Sequence, residues 1–156
     1  MARHKKAHLS AQKAAEKNFL DQLIRLYPGF PRGRIVQSES PDFLVYTTPR
    51  RKIGIELTRL TRNSDTTFTG EDHFHPGFSM EAIQELIRNK EAKMELYRKN
   101  GVEGVWLVIL VERFSQSPSF NLRNHVDHWD LSTLFKAVLI LDLSIPAVYE
   151  IKTPAS

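Results

Sequence analysis

The chain contains no cysteine, which excludes disulfide cross-links, thiolate zinc sites and a cysteine nucleophile. It also lacks long hydrophobic runs. The longest, Val105 to Val111, is too short to span a bilayer, and the basic N-terminus is not followed by the apolar stretch of a signal peptide. These absences set the expectation of a cytoplasmic protein with no membrane partner. No internal repeat or low-complexity segment is present either. Stability must then come from a packed core, and 156 residues with 41% apolar side chains suffice for one domain to build it.

Negative charge is scarce in one half of the chain. Residues 1–62 hold 13 Lys or Arg against 5 Asp or Glu, whereas residues 63–156 hold 9 against 13, within a formal net charge of +4. A basic excess confined to one half favours a polyanionic partner there, because lysine and arginine bind phosphates largely without regard to sequence. A solvated basic surface is the ordinary alternative. Residues 1–9 read as a basic, flexible tail ahead of a single domain over residues 10–156.

Apolar spacing predicts an amphipathic helix from Ser10, its cap, to Tyr27, where Pro28-Gly29 stops it. Three strands follow at 34–39, 42–48 and 52–59, joined by Pro- or Arg-rich turns. After a polar loop over 61–78, a second long helix runs from about Ser79 toward Gly101. Residues 102–111 then form an apolar strand, residues 114–130 a loop, and a short helix starts near Asp130 or Ser132. Strand-like pieces at 137–143 and 147–151 close the chain. The fold class expected is mixed α/β, a central mixed sheet flanked by helices.

Within this order, Ser40-Pro41-Asp42-Phe43-Leu44-Val45 and Ile53-Gly54-Ile55-Glu56-Leu57-Thr58 read as a hairpin. One carboxylate lies at the mouth of an apolar strand and another in the middle of the next. Such charges are costly to bury without a cation, so two acids on paired strands point to a divalent metal site. The plainer roles are a turn aspartate after Pro41 and a solvent-facing Glu56, since Ile53, Ile55 and Leu57 share the opposite face.

Two further charges fall on helix faces that should point inward. Lys90 lies at the centre of the stripe Ile83, Leu86, Ile87, Met94 and Tyr97, and Glu16 lies in line with Phe19, Leu20, Leu23 and Tyr27. Each alone is explained by a snorkelling lysine or a helix-start glutamate. Together with Asp42 and Glu56 they form a set that can share a cation, whereas four separate misplacements would each cost stability.

Pro41-Asp42, thirteen residues, then Glu56-Leu57-Thr58, in the order helix, three strands, helix, strand, resembles the PD-(D/E)XK nuclease superfamily of restriction-endonuclease-like folds. The resemblance covers roughly residues 10–111. It departs from the usual pattern at Thr58, where the family generally has lysine. Some members take the lysine from the following helix, and Lys90 looks like such a migrated lysine, with Lys93 the second candidate. The resemblance implies a Mg²⁺- or Mn²⁺-dependent nuclease acting on DNA, with Asp42, Glu56 and the Leu57 carbonyl as metal ligands. It casts Lys90 and Glu16 as catalytic partners and Thr58 as an accessory group. Mg²⁺ and Mn²⁺ suit hard oxygen ligands. Many enzymes that cut duplexes act as dimers to reach both strands, which makes a homodimer the arrangement to test.

Arg50, Arg51 and Lys52 before the second acid, and Arg59 and Arg62 after it, are the expected phosphate contacts. His73 and His75 in the intervening loop are accessory candidates for substrate contact. Neither that pair nor His125 and His128 has an evident third ligand at a defined spacing. Trp106 and Trp129 are expected in or near the core. Two functions from different classes remain in view: a metal-dependent nuclease, and a nuclease-like domain that binds nucleic acid or a partner protein without cutting, motivated by Thr58. A histidine-ligated hydrolase built on the two loops ranks third.

Overall fold

Residues Val105 to Val111 are apolar at every position, the pattern of a strand covered on both faces. They form a central strand of a six-stranded sheet in the computed structural model, which describes residues 2–60, 80–112, 129 and 131–152. The described elements are α1 (Ala2–Leu26), β1 (Arg34–Gln37), β2 (Phe43–Tyr46), β3 (Lys52–Arg59), α2 (Met80–Glu91), α3 (Met94–Arg98), β4 (Val105–Val111), β5 (Ala137–Asp142) and β6 (Ala147–Ile151). Strands lie in sequence order, β1-β2-β3-β4-β5-β6. The first three pair antiparallel, β3–β4 and β4–β5 pair parallel, and β5–β6 is antiparallel. The architecture is a mixed α/β fold on an open, mixed sheet.

A parallel joint between β3 and β4 needs a crossover, and α2 and α3 lie on it. Their stripe of Ile83, Ile87, Met94 and Tyr97 covers one face of the sheet, against Leu107, Ile109, Val138 and Ile140. The stripe of α1, with Leu20 and Leu23 at its centre, covers the other face, against Phe43, Val45, Ile53, Ile55, Leu57 and Val108. Each fully buried large apolar side chain contributes about 1.5–3 kcal/mol, so both helical layers are held by the sheet rather than by helix propensity. Trp106 meets Tyr27 and Phe30 edge-on at 6.1 Å, at the margin of the α1 face, and Trp129 packs against the other core. No helix among the described residues is long and apolar enough to cross a membrane.

Three elements differ from the sequence expectation. Helix α1 begins at Ala2, so the basic segment expected as a tail is helical and Ser10 lies inside the helix. Residues 2–9 contain no Pro or Gly, and Ala, Lys, Arg and Leu are good helix formers, so nothing local stops the helix. The expected long second helix is broken at Ala92–Lys93. Lys93 sits at φ −91°, ψ 1°, and its N–H donates to the Lys90 carbonyl at 3.0 Å, a tighter turn than the α-helical ladder. Gly101, at φ 73°, turns the chain after α3.

The short helix expected near Asp130 or Ser132 is absent from residues 131–136; Asp130 lies outside the described residues. There Glu91 of α2 accepts hydrogen bonds from the Thr133 hydroxyl at 2.9 Å and the Leu134 N–H at 3.1 Å. Thr133 Oγ1 in turn accepts from the Phe135 N–H at 3.1 Å. Side-chain bonds of this kind replace the helical ladder, while Leu131 and Phe135 fill the core.

Candidate functional site

The β2–β3 register pairs Phe43 with Ile55, which brings Asp42 opposite Glu56 just past the last ladder pair. Ile53, Ile55 and Leu57 face α1, so alternation turns Gly54, Glu56 and Thr58 toward the α2/α3 side. Glu56 is 4% exposed there, which overturns the solvent-facing role as its explanation. Asp42 and Glu56 are tied reciprocally. The Asp42 N–H donates to Glu56 Oε2 at 3.3 Å, and the Leu57 N–H donates to Asp42 Oδ2 at 2.8 Å.

Several contacts hold the turn that delivers Asp42. The Ser38 N–H donates to the Asp42 carbonyl at 2.8 Å, and the Asn100 side-chain amide donates to the Ser40 carbonyl. The Ser40–Pro41 peptide bond is cis, and the Pro41 ring lies on Gly54. A Cβ at Gly54 would stand 2.6 Å from Pro41 Cγ. Gly54 is therefore the residue that allows the Pro41-Asp42 turn to settle beside Glu56. It lies two positions before Glu56 on the same strand face, the signal by which sequence reading could have found it.

Lys90 projects from α2 to the same point. Its Nζ is 3.1 Å from Glu56 Oε1, with the lysine side chain 22% and the glutamate side chain 6% exposed. Lys93, the second candidate, is exposed at the helix break and does not join the cluster. Tyr97, two turns beyond Lys90 on the stripe, does join it, although as a stripe residue it reads as simple core. The residue is fully buried, and its hydroxyl makes no hydrogen bond of normal geometry. It faces Glu56 closely enough that burial first, then the Glu56 charge and a loose contact with its carboxylate, then the Asp42 charge, hold the phenol above its usual range. Tyr97 thus stays a neutral donor.

The charge balance is uneven. Asp42 is pushed up to about 7, mainly by burial and next by the negative Glu56, with a smaller push from Glu16; the Leu57 amide and Lys90 pull the other way. One lysine does not offset this crowding of carboxylates, and a hard divalent cation would. Among the described residues no group of three or more His, Asp or Glu side chains is close enough to hold a metal. The donor set on offer is Asp42, Glu56 and a backbone oxygen. In an extended strand a residue's N–H and C=O project from the same edge, so the Leu57 carbonyl faces the side on which its N–H meets Asp42. Two carboxylates and a carbonyl suit a cation such as Mg²⁺, which keeps several waters of its own.

Glu16 is half-buried on α1 and lines a cleft of about 180 Å³ with Asp42, Lys13, Ser38 and Glu39, accepting a 3.3 Å hydrogen bond from Gln12. Thr58 is half-buried on the Glu56 face. The expected phosphate contacts are not gathered at the acids. Arg50 lies in the β2–β3 turn, at the opposite end of β2 from Asp42, and Arg51 is paired there with Glu103 at 3.3 Å. Lys52 stands opposite Tyr46. Arg59, on the α1 side, lies over the Phe19 ring at 5.5 Å and 3.8 Å from Glu112. The separation has a plain cause: the turn that carries the arginines joins the far ends of the two strands. Arg62, His73, His75, His125 and His128 lie outside the described residues.

The chain matches no protein-family model, no curated protein and no solved structure.

Proposed function

We propose that the protein is a metal-dependent nuclease of restriction-endonuclease-like fold that hydrolyses phosphodiester bonds of DNA. The observation that carries this reading is the convergence of Asp42, just before β2, Glu56 of β3 and Lys90 of α2 at one half-buried point. Asp42, Glu56 and the Leu57 carbonyl hold the cation. Bound there, Mg²⁺ or Mn²⁺ supplies a water activated near neutral pH and neutralises charge on the phosphate. Lys90 fixes the Glu56 carboxylate and adds positive charge beside the position where charge develops in the transition state. Tyr97 presents its hydroxyl to Glu56 from the buried side. Glu16, across the cleft from Asp42, positions solvent at the mouth of the site.

Incubation of supercoiled plasmid with the protein in Mg²⁺ or Mn²⁺ tests this. Nicking that requires metal and vanishes in Asp42→Ala and Glu56→Ala is the expected result. Full activity of the Glu56 variant would overturn the mechanism.

One observation favours a second reading, a nuclease-like module that binds nucleic acid without cutting. Lys90 is already engaged by Glu56, and Thr58 stands at the usual lysine position, so the cluster satisfies part of its own charge. That reading predicts salt-sensitive DNA binding that is indifferent to metal.

A further inference from the structure

A second cluster of charge stands on the same sheet face as the acids. The β1–β2 register pairs Arg34 with Tyr46, and the β2–β3 register pairs Tyr46 with Lys52, so the three residues form one cross-strand row. Phe43, Val45, Ile53 and Ile55 face α1, and alternation therefore turns the row toward the opposite face, with Asp42 and Glu56. The Arg34 guanidinium lies 4.6 Å from the centroid of the Tyr46 ring and the Lys52 ammonium 5.5 Å from it. Neither cation pairs with a carboxylate among the described residues, whereas neighbouring Arg51 is bound to Glu103.

Two like charges drawn to one ring repel each other, and an exposed cation–π contact returns only about 0.5–1 kcal/mol. An anion beside the row offsets that repulsion. Space for it exists beside the row, in an open cleft of about 360 Å³ lined by Arg34, Tyr46, Thr47, Thr48 and Pro49. The Thr48 hydroxyl accepts from the Arg50 and Arg51 N–H groups, which leaves its own proton to donate. An arginine and a hydroxyl donor line this opening, with the Lys52 ammonium held nearby on the Tyr46 ring, and these are groups that bind phosphate oxygens.

Tyr46 is four residues along β2 from Asp42, a separation of about 13 Å at ~3.3 Å per residue. No single phosphate reaches both places. We propose that Arg34, Tyr46 and Lys52 anchor a second phosphodiester group of the same polynucleotide whose scissile bond lies at Asp42 and Glu56. This rests on the nuclease reading and gives it a direction: the nucleic-acid backbone runs along β2 and β3, from the acid end to the hairpin end.

The test is binding of a fluorescent DNA duplex of about 20 base pairs, in EDTA so that no cutting occurs, as salt is raised. Arg34→Ala/Lys52→Ala should lower the slope of log affinity against log salt by about 0.9, the value for one phosphate. Arg34→Lys/Lys52→Arg should keep the parent slope. Arg34→Glu, a change at an exposed position that the fold tolerates, should weaken binding further. In all three variants the melting shift produced by Mn²⁺ should equal the parent's. An unchanged slope in both the Ala/Ala and Glu variants overturns the anchor and leaves the acid and lysine site standing. A parent protein that does not bind the duplex overturns the anchor and the DNA reading together.

Discussion

Among the described residues two carboxylates are buried in the sheet, Glu56 in β3 and Asp142 at the end of β5, and their hydrogen bonds reach over very different distances in sequence. Asp142 Oδ1 accepts from the N–H groups of Ser144, at 3.0 Å, and Ile145, at 3.2 Å, two and three residues onward. That is a local turn device, in which an aspartate side chain replaces a backbone acceptor between two strands. Glu56 instead meets Lys90, 34 residues away in sequence, and the N–H of Asp42, 14 residues away. An acid that accepts from its own turn shapes that loop. An acid satisfied from two other elements works only once β2, β3 and α2 are assembled, and its neighbour Asp42 still carries charge that its surroundings resist. The difference separates an acid that serves the fold from one suited to chemistry.

The largest effect that sharpens this contrast is on stability. Lys90→Ala leaves Glu56 buried without its cation and should cost about 3–5 kcal/mol, against about 1–3 kcal/mol for Asp142→Ala, which frees two turn amides. Chemical denaturation measures both. The double variant Glu56→Gln/Lys90→Met should recover most of the Lys90→Ala loss while remaining without metal response.

Next in size is a pH dependence. Asp42 rises from 3.8 to about 7 in the folded state, so between those values the folded protein holds a proton that the unfolded chain has released. Stability of the metal-free protein should therefore fall as pH rises through that window, by at most about 1.4 kcal/mol per pH unit. Asp42→Asn should flatten the slope in melts from pH 4 to pH 7.

Gly54→Ala should cost about 1–3 kcal/mol by forcing Pro41 off the sheet. It should also weaken the metal-induced melting shift, because Asp42 moves with Pro41. The smallest effect on stability belongs to Tyr97→Phe. Removing a hydroxyl that makes no hydrogen bond of normal geometry should change stability by less than about 1 kcal/mol, while metal affinity measured by calorimetry falls by up to about tenfold.

Much of the fold was legible in local periodicity. The alternation of Ile53, Ile55 and Leu57 fixed the face of Glu56, and the spacing of Ile83, Ile87, Met94 and Tyr97 turned Lys90 inward. Whether those faces are covered is a long-range fact. Sequence alone left Glu56 between a metal site and a solvent face, because only the approach of Lys90 and Tyr97 from the crossover helices shows its position to be dry. Tyr97 escaped notice for the same reason: an apolar stripe explains its burial, and only the approach of Glu56 gives its hydroxyl a role. The break at Ala92–Lys93 and the absent helix over residues 131–136 were hidden because tertiary bonds, such as those Glu91 makes to Thr133 and Leu134, override helix propensity. The arginines of the β2–β3 turn are near Glu56 in sequence yet at the other end of the hairpin in space.

The most direct measurement is a thermal-melting titration with Mn²⁺ of the parent protein, Asp42→Asn and Asp142→Asn. A ligand that binds only the folded state raises its stability with the logarithm of concentration above its dissociation constant. The account predicts a rising melting temperature in the parent and in Asp142→Asn, and none in Asp42→Asn. A parent that does not respond at millimolar metal, or an Asp42→Asn protein that responds as the parent does, would contradict the assignment of the Asp42 and Glu56 pair as the metal site.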